Sequence, residues 1–293
     1  MLRLFLLGLV SLGLQTPAPV PPTQEPAHFH HVHLNVVDPM KTVEFYQRVF
    51  GAVPIKFQGF ADALFTERSF ILMTKVGASA PADLTSAIWH IGWGGVDVPS
   101  EFNWWKAKGL EFQTPITKLG ETNHYMYLYG PDREVIEIYS GEQNHRYNHV
   151  HLFAADVNAT SQWYADHLGI PLRLREVAKP EKAGQRWMNA FRVDNVTLIV
   201  FGKPDSDPLP SWWSGKPLVT LEPTRGRVID HIAFSYRQIE PVFERMKKAG
   251  VRIVEPIAMR DDYRLKSFFV LGPDRVLIEI VEARPIPDAS WEK

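Results

Sequence analysis

The sequence predicts an α+β fold of four βαβββ modules, paired in chain order into two domains. Three observations carry that prediction. The tetrapeptide HVHL occurs at His31–Leu34 and again at His149–Leu152. The stretch GPDREVIEI (Gly130–Ile138) returns as GPDRVLIEI (Gly272–Ile280), identical at seven of nine positions. Between these landmarks one order recurs: a short apolar strand, an aromatic-rich helical stretch, a glycine, then further strands. Self-similarity of this kind marks a repeated supersecondary unit.

In chain order, Met1–Arg3 supplies one positive charge and Leu4–Leu14 is almost wholly apolar, followed by the Pro-rich run TPAPVPPTQEP. The run is too short to span a bilayer and suits an export signal, with cleavage between about Ala18 and Ala27. Residues 1–26 are therefore expected to be signal and stiff spacer, and the protein periplasmic or secreted. No other segment is a candidate membrane span.

Module one opens with HVHLNV, continues through VEFYQRVFGAVPI and ends with RSFILMTKV. Asp38 before Pro39 marks the helix start and Gly51 its end. Module two opens with WHIGW, carries FNWWKAKGLEFQTPI and ends with EVIEIYS; Ser100 before Glu101 marks the helix start and Gly109 its end. Module three repeats the plan from HVHL through SQWYADHLGIPL, closed by Gly169, to NVTLIVFG. Module four runs from DHIAF through FERMKKAGVRIVEPI, closed by Gly250, to VLIEIVE. One module cannot cover both faces of its sheet, so modules should pair. Pairing neighbours gives a first domain at 27–144, a second at 145–285 and a tail at 286–293. Pairing can close within one chain or between two, so an oligomer is compatible with the pattern.

Of 293 residues, 45% are hydrophobic and 22% charged, with a formal net charge of −1. That balance gives no footprint for nucleic acid or an anionic membrane surface. With no cysteine in the chain, thiolate sites, disulfides and a cysteine nucleophile are excluded. The excursion Lys203–Arg227 holds Trp212 and Trp213, which either cap a ligand or pack the loop onto the domain. At least one of Trp104 and Trp105 should be core.

Strand alternation assigns faces. His31, His33 and Asn35 point one way, and Val32, Leu34 and Val36 point the other, toward the helix. Glu137 and Glu279, each between two isoleucines, also face away from the helix layer. A lone strand-end histidine is usually a satisfied polar group. A carboxylate between isoleucines is harder to explain, because it needs a cation, a metal or a proton. Each half repeats the set: His31, His90 and Glu137, then His149, His231 and Glu279. Two imidazoles and one carboxylate suit a divalent ion, Fe(II) first, with Zn(II), Mn(II) and Ni(II) as alternatives. His33 and His151 lie two residues beyond proposed ligands and should face the same cavity, as acid–base groups or supporting partners.

At these residues the chain resembles the vicinal oxygen chelate superfamily, which includes glyoxalase I, extradiol ring-cleaving dioxygenases, and fosfomycin- and bleomycin-resistance proteins. The match is carried by His31, Leu34, Val36 and Asp38, by His90 and Glu137, and by His149, His231 and Glu279. The resemblance implies two half-open-barrel domains of glyoxalase/dioxygenase type, each around a metal chelated by two adjacent substrate oxygens. The family's common DPDG turn is GPDR here. Where glyoxalase I places a fourth, carboxylate ligand, the nearest residues are Leu72 and Ile199. The ring-cleaving members carry a tyrosine about ten residues before the glutamate; Tyr127 matches in the first half and Phe269 stands there in the second. Their acid–base histidine is unmatched, with His124 close by. The expectation is a metal-dependent enzyme on a small substrate with vicinal oxygens, by dioxygenase chemistry. The alternatives are a glyoxalase-like isomerase or lyase, with a group such as His33 as base, and a non-catalytic small-molecule binding protein. His31, His90 and Glu137 are expected to form the better site.

Overall fold

A computed structural model of the chain describes residues 25–172, 176–182, 185–205, 208–210, 213 and 215–286. The expected export signal, Trp212 and nearly all of the tail lie outside the described residues. Module one comprises strand β1 (His28–Val36), helix α1 (Pro39–Phe50) and strands β2 (Val53–Phe57), β3 (Ala61–Thr66) and β4 (Ser69–Lys75). Module two comprises β5 (Ile88–Gly95), α2 (Val98–Ala107), β6 (Phe112–Leu119), β7 (Asn123–Tyr129) and β8 (Val135–Ser140). Module three comprises β9 (Tyr147–Ala154), α3 (Val157–Leu168), β10 (Met188–Val193) and β11 (Val196–Gly202) among the described residues. Module four comprises β12 (Ile229–Tyr236), α4 (Glu240–Lys248), β13 (Arg252–Arg260), β14 (Leu265–Leu271) and β15 (Leu277–Glu282). No helix among the described residues is long and apolar enough to cross a membrane.

The helix signals explain the local structure. Asp38 accepts hydrogen bonds from the backbone N–H groups of Met40 and Lys41, and Gly51 ends α1 with φ of 67°. Asp156 caps α3 in the same way, and Gly169 closes it with φ of 69°. The start of α2 differs from expectation. Its cap is Asp97, not Ser100, whose N–H instead donates to Asp97. Pro99 fits the first turn, where no N–H is needed, so the helix begins earlier.

The pairing of modules also differs from expectation. One eight-stranded sheet has the order β13-β14-β15-β12-β1-β4-β3-β2, joining modules one and four. The other, seven-stranded, has the order β10-β11-β9-β5-β8-β7-β6, joining modules two and three. The expected division at 144/145 therefore falls inside a sheet. In every module the first strand lies parallel to the last, and modules join by antiparallel pairing of first strands: β1 with β12 and β5 with β9. All four first strands offer the same kind of edge, so strand chemistry does not choose partners. The connections do: residues 141–146 are too short a link to leave the sheet, whereas residues 76–87 and 203–228 carry the chain from one sheet to the other.

Neighbouring modules touch differently. In the first GPDR turn Asp132 accepts the Val37 N–H at 2.9 Å, just ahead of α1. In the second, Asp274 accepts the Ala155 N–H at 3.1 Å, just ahead of α3. The repeated turn thus docks module two on one and module four on three.

Both sheets share one apolar core. Phe50 stacks on Trp93 at 4.7 Å, Trp93 meets Tyr147 at 5.2 Å, and Phe29 bridges Tyr147 to Phe234 at 5.9 and 5.8 Å. The 203–228 connection contributes to this core. Trp213 is buried against Phe153 and Trp89, with ring separations of 5.1 and 5.8 Å. It fastens the loop down onto the core. Trp105 is core, whereas Trp104 is exposed.

Two candidate metal centres

Each sheet gathers one set of ligand-type side chains where its two first strands meet. In the sheet of modules two and three, β5 supplies His90, β8 supplies Glu137, and β9 supplies His149 and His151. The Nε2 atoms of His90 and His149 lie 2.9 and 3.0 Å from Glu137 Oε2, and that of His151 lies 3.8 Å away. All four residues are buried, and their donor atoms fall within 4.8 Å of one another. Register explains the convergence: His90 pairs with His151, and Gly92 pairs with both His149 and Glu137. A side chain at Gly92 would collide with the His149 ring, since its Cβ would stand 1.9 Å from Cε1. His149 is oriented from behind by Asn148, whose Oδ1 is 2.6 Å from Nδ1.

The second centre uses β1, β12 and β15. His31 Nε2 and His231 Nε2 lie 3.3 and 3.4 Å from Glu279 Oε2 and 3.4 Å from each other. Asp230 Oδ1 holds His231 Nδ1 at 2.6 Å, and the Nδ1 atoms of His30 and His31 are 2.7 Å apart. The Ser267 hydroxyl donates to the other Glu279 oxygen at 2.5 Å. His33 stacks on His231 at 4.5 Å and shares a 2.8 Å hydrogen bond with Thr74. By register this centre is a copy of the first, with Ala233 in the place of Gly92 and Phe269 in that of Tyr127. The position facing the missing fourth ligand is apolar in both: Leu72 pairs with His33 and Ile199 with His151.

The electrostatics suit cation binding. Burial alone would raise the Glu137 carboxyl, but hydrogen bonds from His149 and His90 outweigh it and hold the group well below the usual carboxylate range. Glu279 behaves alike, through His231 and His31. Burial, reinforced by His90, keeps His151 neutral at pH 7, and burial keeps Tyr127 protonated. A divalent ion ligated at about 2.0–2.2 Å sets its donors roughly 3–3.5 Å apart. The 2.9 and 3.0 Å contacts of the first set and the 3.3–3.4 Å contacts of the second lie close to that spacing, with imidazole and carboxylate donors of the right kind.

The surroundings of the two centres differ. Glu137, His149 and His151 of the first line a cleft of about 640 Å³, and His90 is fully buried. Trp89, Tyr125, Tyr127, Tyr139 and Phe201 form aromatic walls, Ile199 adds an aliphatic one, and Lys118 and Arg186 also line the cleft. Beside the second lies an apolar cluster of Phe57, Ala63, Leu72, Tyr263, Leu265 and Val281. Tyr263 stands edge-on to His33 at 5.5 Å, and its hydroxyl donates to the Met73 carbonyl.

The sequence-expected residues therefore regroup. His90 and Glu137 do come together, but His31 lies in the other sheet. His231 and Glu279 come together, but His149 lies with Glu137. The cause is the pairing of module one with four, which moves the two HVHL histidines into exchanged centres. His151 and Tyr127 line the cleft, and His33 belongs to the second centre. Sequence reading missed the supporting residues Asn148, Asp230 and Ser267. The first two were signalled by standing directly before His149 and His231.

This geometry defines a class of protein: paired βαβββ modules with a His/Glu ligand set on each concave face. The model of the Glyoxalase/Bleomycin resistance protein/Dioxygenase superfamily matches residues 28–138 and 146–280, and the chain belongs to that superfamily. Glyoxalase I from Zea mays is similar in fold, with a TM-score of 0.66 at 16% identity, covering 87% of this chain and 92% of that one. A candidate dioxygenase from Bacillus subtilis has a TM-score of 0.61 at 13% identity, covering 90% of this chain and 87% of that one. A search of curated protein sequences finds no match.

Proposed function

We propose that the chain is a divalent-metal-dependent enzyme whose working centre is His90, His149 and Glu137, and that it opens an aromatic ring bearing two adjacent oxygens. One observation supports this reading: a two-histidine, one-glutamate set, without a fourth carboxylate, presents Glu137 and His149 to an aromatic-walled cleft. Fe(II) is the first choice of ion, with Mn(II), Zn(II) and Ni(II) as alternatives; bound there, it supplies Lewis acidity and, if iron, oxygen activation.

The protein's own groups supply the rest. The aromatic walls and Ile199 fit a flat ring and exclude water. His151, neutral and beside the carboxylate, would accept the proton of a ring hydroxyl. The Tyr127 hydroxyl remains a donor toward the ring oxygens. Ring opening places both atoms of O2 in the product and needs no external reductant.

A second reading is favoured by His151 itself. An imidazole held neutral beside the ligand set can serve as base in a glyoxalase-like isomerase or lyase, replacing the carboxylate that Ile199 excludes. The test is oxygen uptake by iron-loaded protein across catechols, alongside isomerisation of hemithioacetals by zinc- or nickel-loaded protein. Oxygen consumption with a ring-opened product, abolished by Glu137→Gln, supports the first reading. Isomerisation without oxygen uptake supports the second. Tight ligand binding with no product under either regime would leave a binding protein.

A further inference from the structure

The proposed ring opening leaves two cations of the cleft without a task. We propose that Arg186 and Lys118 form a carboxylate subsite, so that the substrate is a catechol bearing an acidic side arm, an inference that rests on the ring-opening function proposed above.

The sheet sets these two side chains at its opposite edges. His90, Glu137 and His149 come from β5, β8 and β9, the three central strands of the order β10-β11-β9-β5-β8-β7-β6. Arg186 lies two residues before β10 and Lys118 lies in β6, the two outermost strands. Both nonetheless line one cleft with Glu137 and His149, so the sheet curls until its rims face each other across the ligand set. The Arg186 guanidinium carbon stands 5.7 Å from the centroid of the Phe201 ring, and Phe201 lies 5.1 Å from His151. An aromatic face steadies a guanidinium without consuming its N–H donors, which stay free for a planar anion. The Arg186 charge acts on both His151 and Tyr127.

The charge is local and unspent. Of the Lys, Arg, Asp and Glu side chains lining the cleft, two are cationic and one is anionic, and that one is Glu137 of the ligand set. Neither cation is paired with a carboxylate among the described residues. The whole chain carries a formal net charge of −1, so the excess does not reflect its composition. A cleft lined by one sign of charge draws ligands of the other. The repeated module does not supply the pair either. Counted from Pro115 and Pro256, Lys118 corresponds to Met259; counted back from the hairpin turns at Asp194 and Glu67, Arg186 corresponds to Gly59. Of the two concave faces, only the one with the aromatic cleft has cations at these positions. A carboxylate is the planar anion that a guanidinium fork matches, and Lys118 adds a second, less directional charge.

The test reads binding, apart from turnover. Full-length protein loaded with Zn(II) is titrated calorimetrically with 3-(3,4-dihydroxyphenyl)propanoate and with its primary amide, which has the same shape and no charge. The acid should bind about 10- to 30-fold more tightly than the amide, and added salt should narrow that gap. Arg186→Gln should bring acid and amide to within about threefold of each other, Arg186→Lys should restore part of the preference, and Lys118→Gln should cost less. Both side chains are exposed, so these variants should fold. Equal affinity of acid and amide for the wild-type protein overturns the proposal. So does a preference that survives Arg186→Gln, or no binding of either compound. Ring opening of acid and amide at equal kcat/KM would remove the subsite and leave the proposed function standing. An Arg186-dependent preference for the acid, without ring opening by iron-loaded protein, would support the subsite and remove the proposed reaction.

Discussion

Gly92→Ala offers the sharpest test of the centre built on His90, Glu137 and His149. The added methyl would stand 1.9 Å from His149 Cε1, 2.0 Å from Nε2 and 2.3 Å from Cδ2. Non-bonded carbons settle near 3.5 Å, so the ring must retreat by about 1.5 Å. That movement breaks the 3.0 Å contact with Glu137 and the 2.6 Å contact with Asn148. Misplacing one ligand of three by this much should weaken ion binding at least ~100-fold, about 2.7 kcal/mol. Turnover should fall by at least as much. The chain should still fold, with an overpacking penalty of about 1–3 kcal/mol, because the equivalent strand position already carries Ala233. The assay is competitive Zn(II) titration of the cleft ion, with circular dichroism confirming the fold. A Gly92→Ala protein that binds this ion as tightly as wild type would refute the assignment of His149 as a ligand.

Other outcomes follow from the same geometry. Removing the proposed proton acceptor by His151→Gln should lower turnover about 10²- to 10⁴-fold while leaving ion content unchanged, as read by single-turnover kinetics and elemental analysis. Truncating one of the two cleft cations in Arg186→Ala should raise KM about tenfold for substrates carrying a carboxylate and leave uncharged analogues unaffected, visible in paired steady-state measurements. Glu134 is buried beside Asp132 and accepts from Tyr46; burial pushes its carboxyl up to about 7. The folded state thus holds this proton more tightly than the unfolded chain, so its stabilising effect is full below about 4.5 and is lost as pH rises through 7. Glu134→Gln should therefore match wild type near pH 4.5 and exceed it by up to about 3 kcal/mol at pH 8, in denaturant titrations.

Much of the fold was legible because its signals are local. Asp38 and Gly51 mark helix ends through hydrogen bonds and φ values that few other residues supply. Alternation around His31 and Glu137 placed them on the concave faces. What failed was the long-range step. A first strand carries the same alternating pattern in every module, so β1 could meet β5, β9 or β12 with equal satisfaction. The discriminating signal was the length of the connections. The 141–146 link is short enough to bind β9 into the sheet of β8, and the long, Pro-rich 203–228 stretch allows a crossing. Asp97 escaped notice for a related reason: Ser100 is an equally good capping type, and only the place of Pro99 decides between them. The place of Tyr263 beside His33 had no local signature, since it arises only when the β13–β14 turn is brought against module one.

The nesting of one sheet inside the other sets an order of events during synthesis. When β9 emerges, the strand it needs, β5, is already present, and modules two and three can complete their sheet early. Strand β1 is made first yet finds β12 only when the fourth module appears. Until then its edge is an open template, buried apolar on one face and lined with histidines on the other. The final closure is a high-contact-order step and should be the slowest phase of folding. A ribosome stalled before Ile229 would display a finished inner sheet on a chain whose first module still waits for its partner.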